Sequence, residues 1–293
     1  MTQSVSIYTP FLADVVTLVK PRITLLTLIT AGAGIHIAPG SAPWRLLILA
    51  LAGIALLVGG ANALNMFLER DTDLLMKRTQ NRPLPGKRLS PEFVLGFGSV
   101  LIGISIPLLT YYVNPLTGAL GALSLASYVL FYTPLKRKSS LALWVGAIPG
   151  AMPPLLGWTS VTGSIALAPL VLFAMIFFWQ IPHFLAIGLF RKDEYARAGI
   201  RVYTLEAEER AVLWQIVMNT LALVAVSLLL IPLRAAGELY LATALSLGGA
   251  FLGYAILGFR EGLTDTWAKR LFFLSLLYLT GLFSVLFLDG GRA

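Results

Sequence analysis

The sequence predicts an all-α fold, a polytopic membrane protein with nine transmembrane helices, on three observations. Of its 293 residues, 57% are hydrophobic and only 12% are charged, with a mean hydropathy of +0.82. A soluble domain is about 25% charged, so an ordinary cytosolic enzyme, a disordered tail and a fibrous protein are excluded. The apolar residues fall in continuous runs long enough to span a bilayer. They are rich in Leu and Ala and lack the alternation of a membrane barrel. Nearly all the cations, finally, sort to one side of the membrane.

The runs lie at about 23–39, 46–67, 93–111, 115–133, 141–158, 166–189, 211–233, 239–259 and 270–288, each bounded by polar or Pro/Gly clusters. Ahead of the first stand Lys20 and Arg22. Arg70, Lys77, Arg78, Arg82, Lys87 and Arg88 follow the second, and Lys136, Arg137 and Lys138 follow the fourth. The loop after the sixth carries Arg191, Lys192, Arg197, Arg201 and Arg210; that after the eighth carries Arg260, Lys269 and Arg270. Only Arg45, Arg234 and Arg292 of the 22 Lys and Arg fall on the other side. The positive-inside rule then puts the N-terminus in the cytoplasm and the C-terminus outside a plasma (inner) membrane. The net charge of +8 thus follows from topology, with no nucleic-acid partner expected. Cysteine is absent, which excludes disulfides, thiolate catalysis and Cys-bound metals. Twelve of the 14 acids share the cytoplasmic side. Positive-inside topology does not ask for them, so this side is expected to carry the chemistry.

The densest polar stretch closes the second helix. At 100° per residue, Asn65, Glu69 and Asp73 fall at about −60°, −20° and +20° from Asn62, and Asp71 opposite. Four oxygen-bearing residues share one face. Carboxylates here oppose the helix dipole, and intramembrane acids are usually functional. Oxygen-only ligands leaving room for water and phosphate suit Mg²⁺. Lys77, Asn81 and Arg82 follow in a loop stiffened by Pro83 and Pro85, a setting for a polyphosphate. A second constellation closes the sixth helix, with Gln180, Pro182 and His183, then Arg191, Lys192, Asp193, Glu194 and Tyr195. Its placement matches the first, which predicts a diverged repeat of helices 2–4 and 6–8 with two acidic clusters facing each other across a central cavity. His183 is either a hydrogen-bonded interior residue, an acid/base group or a haem ligand; His36 is incidental.

At these residues the chain resembles the UbiA superfamily of intramembrane prenyltransferases. Its first motif, Asn-x3-Asp-x3-Asp, reads here Asn65-x3-Glu69-x3-Asp73, and Glu in the middle position is similar to the haem-farnesylating branch. Further matches are Leu18-Val-Lys20-Pro21-Arg22, Asn81-Arg82-Pro83-Leu84, Tyr132-Thr133-x2-Lys136-Arg137, Gly150-Ala-Met-Pro153-Pro154-Leu-Leu-Gly157-Trp158, Trp179-Gln180-x-Pro182-His183-Phe184, Lys192-Asp193-Glu194-Tyr195-x2-Ala198-Gly199 and Ala268-Lys269-Arg270-Leu271-Phe272. The chain departs from the branch at Ala142, at Arg201-Val-Tyr-Thr, and in lacking a clean second Asp-x3-Asp motif.

The resemblance implies one transmembrane prenyltransferase domain over residues 1–293. It implies Mg²⁺-dependent transfer of a farnesyl group from farnesyl diphosphate to the vinyl group of haem b, giving haem O for haem-copper oxidases, with a downstream haem A synthase as recipient. The implied catalytic residues are Asn65, Glu69, Asp73, Asp193, Glu194 and Tyr195, with Asn65, Glu69, Asp73 and Asp193 as metal ligands. Lys77, Asn81, Arg82, Lys136, Arg137 and Lys192 would bind diphosphate, and His183, Lys20 and Arg22 would meet haem. Competing readings are a prenyltransferase for a quinone precursor, a transporter and a non-catalytic haem carrier. The Pro-His183-Phe block and Glu69 argue against the first. The acids cluster at one mouth instead of mid-span, which argues against the second. A carrier would not need the Asn65–Glu69–Asp73 stripe.

Overall fold

The computed structural model describes residues 11–291; Arg292, counted above on the outer side, lies outside them. Among the described residues, nine long helices follow the nine apolar runs. They are α1 (Pro21–Ile37), α2 (Trp44–Leu68), α3 (Pro91–Pro107), α4 (Pro115–Ala126), α5 (Ala142–Thr162), α6 (Leu167–Phe190), α7 (Glu209–Leu228), α8 (Glu238–Glu261) and α9 (Asp265–Asp289). Seven of them, α2–α4 and α6–α9, are long and apolar enough to cross a membrane, α3 and α4 when counted with the turns that continue them, as Pro91–Val113 and Pro115–Leu135. α1 has only 17 residues. α5 carries Pro149, Pro153 and Pro154 in its interior, which dilute its hydropathy and remove backbone donors.

Local chemistry sets the helix starts. Proline opens α1, α3 and α4, where its missing N–H is not needed. Ser90 and Thr264 accept from the backbone N–H of Phe93 and Trp267, capping α3 and α9. Two helices widen into π turns at their ends, α3 over Leu108–Val113 and α4 over Ser127–Tyr132. Such turns are rare and collect at functional sites.

α2 packs along α3, α1 along α5, and α5 along α6, while α6 also holds α7 and α9, with α8 behind them. The largest buried core lies among α5–α9. α1 and α5 touch backbone to backbone. A Cβ on Gly34 would stand 2.0 Å from the Pro154 carbonyl oxygen, and one on Gly157 1.9 Å from that of Ala31. Only glycine fits at this reciprocal seam, as is common where membrane helices approach closely. Between α1, α2, α4, α5 and α6 the packing leaves a cavity of about 420 Å³; α3 and α7–α9 lie behind its walls.

Candidate active site

The cavity has one ionic end and one apolar end. Ile54, Leu57 and Val58 of α2, Leu125 of α4 and Pro153 and Leu156 of α5 wall the apolar part. Asn62, Asn65, Glu69 and Asp73 all line it, as their shared helical face predicts. The face survives a break in the helix. Glu69 ends α2 at φ −95°, ψ 4°, but the next turn, Arg70–Asp73, resumes at once, with Asp73 N–H donating to Glu69 O at 2.8 Å. Register is kept, and Asp73 is 1% exposed.

Each carboxylate has a cation. Lys136 Nζ donates to Glu69 Oε1 at 2.8 Å, and Arg82 Nη1 to Asp73 Oδ2 at 2.7 Å. The Pro-stiffened loop brings Arg82 there, and Thr79 Oγ1 pins it by donating to Asp73 O at 2.8 Å. Burial alone would raise the Glu69 carboxyl, but the charge and hydrogen bond of Lys136 outweigh it and hold the group below the usual carboxylate range.

Lys20 reaches the same end from the start of α1. Its backbone is left-handed, at φ 47° and ψ 70°, a conformation costing about 1–3 kcal/mol in a non-glycine residue and typical of functional sites. Its Nζ donates to Asn65 Oδ1 at 3.3 Å. Burial and then the neighbouring Arg82 charge lower the ammonium to about 8. Asn65 Nδ2 in turn donates to Thr133 Oγ1 at 3.3 Å, and Thr133 Oγ1 to Tyr128 O at 2.9 Å. The π turn thus places Tyr128, Tyr132 and Lys136 on the cavity wall. The two rings stack at 5.4 Å, with Lys136 Nζ 4.9 Å from the Tyr132 centroid. Opposite, a Cβ on Gly146 would stand 2.4 Å from the Tyr132 ring, and one on Gly150 2.1 Å from Gln180 Oε1. These glycines keep that wall open for side chains from other helices.

The donor set fits Mg²⁺. Among the described residues no three His, Cys, Asp or Glu gather into a metal cluster. Mg²⁺ needs none, since it is bound by one or two carboxylates with phosphate oxygens and waters. Glu69 and Asp73 with the Asn65 carboxamide meet that need. Asp73 Oδ1 is buried without a partner, an acceptor in want of a cation.

Of the other expected residues, Tyr195 alone lines the cavity. Asp193, expected as a metal ligand, and Glu194 do not join Glu69 and Asp73. With Lys77 and Lys192 they line a separate polar depression. The reason is local: the short helix Lys192–Arg197 resumes directly after Arg191, with Tyr195 N–H donating to Arg191 O at 3.1 Å. At 100° per residue Asp193 then stands about 180° from the cavity-lining Phe184, whereas Tyr195 stands about 20° from it. Arg22, Asn81 and Arg137 are exposed and do not line the cavity. His183, expected at haem, does not line it either. It sits between α6 and α9, stacked on Trp179 at 4.5 Å with Phe272 at 4.7 Å. Its Nδ1 lies 2.8 Å from Ser275 Oγ, whose hydrogen goes to Phe272 O at 2.6 Å. Ser275 must therefore accept, and Nδ1 carries the imidazole hydrogen. This is the hydrogen-bonded interior reading of His183.

The sequence reading missed Tyr128, Arg201 and Tyr203 as wall residues. Arg201 was visible only as a departure from the family pattern. Its N–H donates to Lys136 O and its Nη1 to Lys138 O, both at 3.0 Å, tying the 198–207 segment across the mouth.

The profile of the UbiA prenyltransferase family matches residues 27–277. A protoheme IX farnesyltransferase of Sorangium cellulosum (strain So ce56) is 56% identical over 240 residues, covering 82% of this chain and 86% of the relative. One of Myxococcus xanthus (strain DK1622) is 47% identical over 277 residues, 94% of each chain. In structure, the chain is similar to digeranylgeranylglyceryl phosphate synthase, with a TM-score of 0.82 at 12% identity over 95% of this chain and 98% of that one. It is also similar to a UbiA homolog from Archaeoglobus fulgidus bound to DMAPP and Mg²⁺, with a TM-score of 0.67 at 14% identity over 93% and 99%. At such low identity these two structures speak for the fold alone.

Proposed function

The chain belongs to the UbiA prenyltransferase family, and from that premise we propose that it transfers a farnesyl group from farnesyl diphosphate to the vinyl group of haem b, with Mg²⁺, giving haem O. One observation carries the reading. A single cavity joins an ionic end, where Glu69 and Asp73 stand among Lys20, Arg82 and Lys136, to an apolar end of Ile54, Leu57 and Leu156. A prenyl diphosphate has the same two ends. The names of the relatives from Sorangium and Myxococcus support haem as acceptor.

In this reading Asn65, Glu69 and Asp73 hold Mg²⁺, and Lys20, Arg82 and Lys136 meet the diphosphate oxygens. The ion, when bound, supplies Lewis-acid stabilisation of the charge growing on the diphosphate. The cations are in place before reaction and need no reorganisation as charge develops. The apolar wall takes the prenyl chain, each buried CH₂ contributing about 0.8 kcal/mol. It also keeps water from the allylic cation until the vinyl group has attacked.

The whole chain forms one prenyltransferase domain with a diverged repeat. All nine helices span the plasma (inner) membrane, with the N-terminus cytoplasmic, the C-terminus outside, and the product passing to a haem A synthase. The test is product analysis by mass. Purified protein in lipid, given haem b, Mg²⁺ and prenyl diphosphates of several chain lengths, is expected to yield haem O from the fifteen-carbon donor. A product formed only with a quinone precursor, or none with haem, overturns the reading.

A further inference from the structure

We propose that Asn62 is a catalytic residue of this cavity, whose carboxamide donates a hydrogen bond to the ester oxygen of the diphosphate as the prenyl carbon leaves. The inference rests on the prenyl-transfer reading above. Asn62 lies on α2 one turn before Asn65, about 4.5 Å deeper along the helix at 1.5 Å per residue. It lines the cavity between the polar Asn65 and Glu69 and the apolar Leu57 and Val58. A prenyl diphosphate lying along that gradient has its C–O ester bond where its charged head meets its hydrocarbon tail. Asn62 stands at the level of the bond that breaks.

Its hydrogen bonding separates it from a structural asparagine. Asn65 is used at both ends, accepting from Lys20 and donating to Thr133. Asn62 is 4% exposed, yet its Nδ2 has no partner. A buried donor left unpaired destabilises a fold, and such groups in native structures ask for an explanation. The terminal torsion of asparagine is soft, so a turn about Cβ–Cγ presents the NH₂ to the cavity without moving the helix. Of the other unpartnered groups, Asp73 Oδ1 and Thr204 Oγ1 belong to residues that also line the cavity, Asp73 at its ionic end and Thr204 in the 198–207 segment, whereas His36, Trp158, Thr220 and Tyr254 do not line it.

In the step, the C1–O bond breaks and its electron pair stays on the diphosphate oxygen. Asn62 donates a hydrogen bond to that oxygen and keeps its proton. The vinyl π pair of haem forms the new C–C bond to the allylic cation. The resulting haem cation takes up water, which releases one proton. A bond that strengthens as charge grows acts on turnover more than on ground-state binding.

The test uses the purified full chain in lipid. Asn62→Leu keeps the approximate volume and removes the donor. It is expected to lower kcat by about 10²-fold, the scale of a lost oxyanion donor. Affinity for farnesyl thiodiphosphate, an unreactive donor analogue, should stay within about threefold, and the thermal midpoint should equal or exceed that of the wild type. If the Leu variant does not fold, Asn62→Ser should retain clearly more turnover than Asn62→Ala. Wild-type turnover in Asn62→Leu overturns the inference, as does an equal loss in Ser and Ala with a lowered midpoint. A wild-type protein that releases no diphosphate in the presence of haem b overturns the prenyl-transfer reading and this one with it. A wild type that does release it, beside an unimpaired Leu variant, overturns this inference alone.

Discussion

Lys136 and Glu69, separated by 67 residues, meet at 2.8 Å between the ends of α4 and α2. The pair is half-buried, with side chains 24% and 16% exposed. It keeps a carboxylate ionised near the membrane and stores a cation where a diphosphate would need one. Glu69→Gln and Asp73→Asn should each lower kcat/KM by about 10²–10³-fold, on the scale of a lost transition-state contact. Chelation of Mg²⁺ should abolish turnover, and titrating the metal back should restore the wild type at lower concentration than either variant. Product formation against free Mg²⁺ measures this.

His183 makes its contacts away from the cavity. His183→Gln should therefore leave the Soret spectrum of bound haem unchanged. It should lower the thermal midpoint through the disturbed Ser275 contact, about 1 kcal/mol for one buried hydrogen bond. A shifted Soret band would restore His183 as a ligand.

Asp14 fastens the short helix Phe11–Leu18 to the loop after α2. Arg88 Nε and Nη2 both donate to its carboxylate, at 2.9–3.0 Å. The Asp14 side chain is 5% exposed and that of Arg88 34%. Asp14→Asn should cost about 1–3 kcal/mol, as a charge-assisted buried contact, read as a lower unfolding temperature in detergent.

The Gly34–Gly157 seam tolerates no Cβ. Gly34→Ala and Gly157→Ala should each cost at least about 1–3 kcal/mol from overpacking and reduce the yield of folded protein. Gly96, with nothing within 4 Å of an added Cβ, is the control. Gly96→Ala should be neutral or slightly stabilising, because it lies inside a helix. Equal behaviour of the three variants by size-exclusion chromatography and melting would refute the seam.

Glu206 is held below its ordinary value first by the Ser140 hydroxyl and then by Arg201, with which it pairs at 2.5 Å. A depressed carboxylate stabilises its contacts above the unfolded value of 4.5, and that contribution is lost as pH falls through the folded value. Hydrogen exchange in segment 200–207, corrected for intrinsic rate, should accelerate as pH falls below 4.5. Glu206→Gln should show the fast rate at neutral pH.

Where the chain stays helical, its sequence was readable. The predicted run 46–67 is observed as Trp44–Leu68, and 270–288 as Asp265–Asp289. The Asn62–Asp73 face held because one helical turn follows directly on Glu69. Asp193 was offered by the resemblance and not by its place on a helix face; at 100° per residue it stands about 180° from Phe184 and faces away from the cavity, while Tyr195, about 20° from Phe184, lines it. The π turn at Ser127–Tyr132 leaves no periodic trace, so Tyr128 could not be placed. The sequence left three readings of His183 open because one apolar stretch can face a cavity at Gln180 and Phe184 and a neighbouring helix at His183.

Backbone-to-backbone contact between α1 and α5 also limits how the cavity can change size. Side chains adapt to cargo by exchanging rotamers, but at Gly34 and Gly157 there are none to exchange. That corner is a fixed edge, like the hinge side of a door frame. Ligands of different bulk must be accommodated along the free edges, where loops and long side chains form the boundary. Variation that retunes which molecules enter is therefore expected in segment 198–207 and, around a fixed Arg82, in segment 74–90, while the glycine edge stays the same.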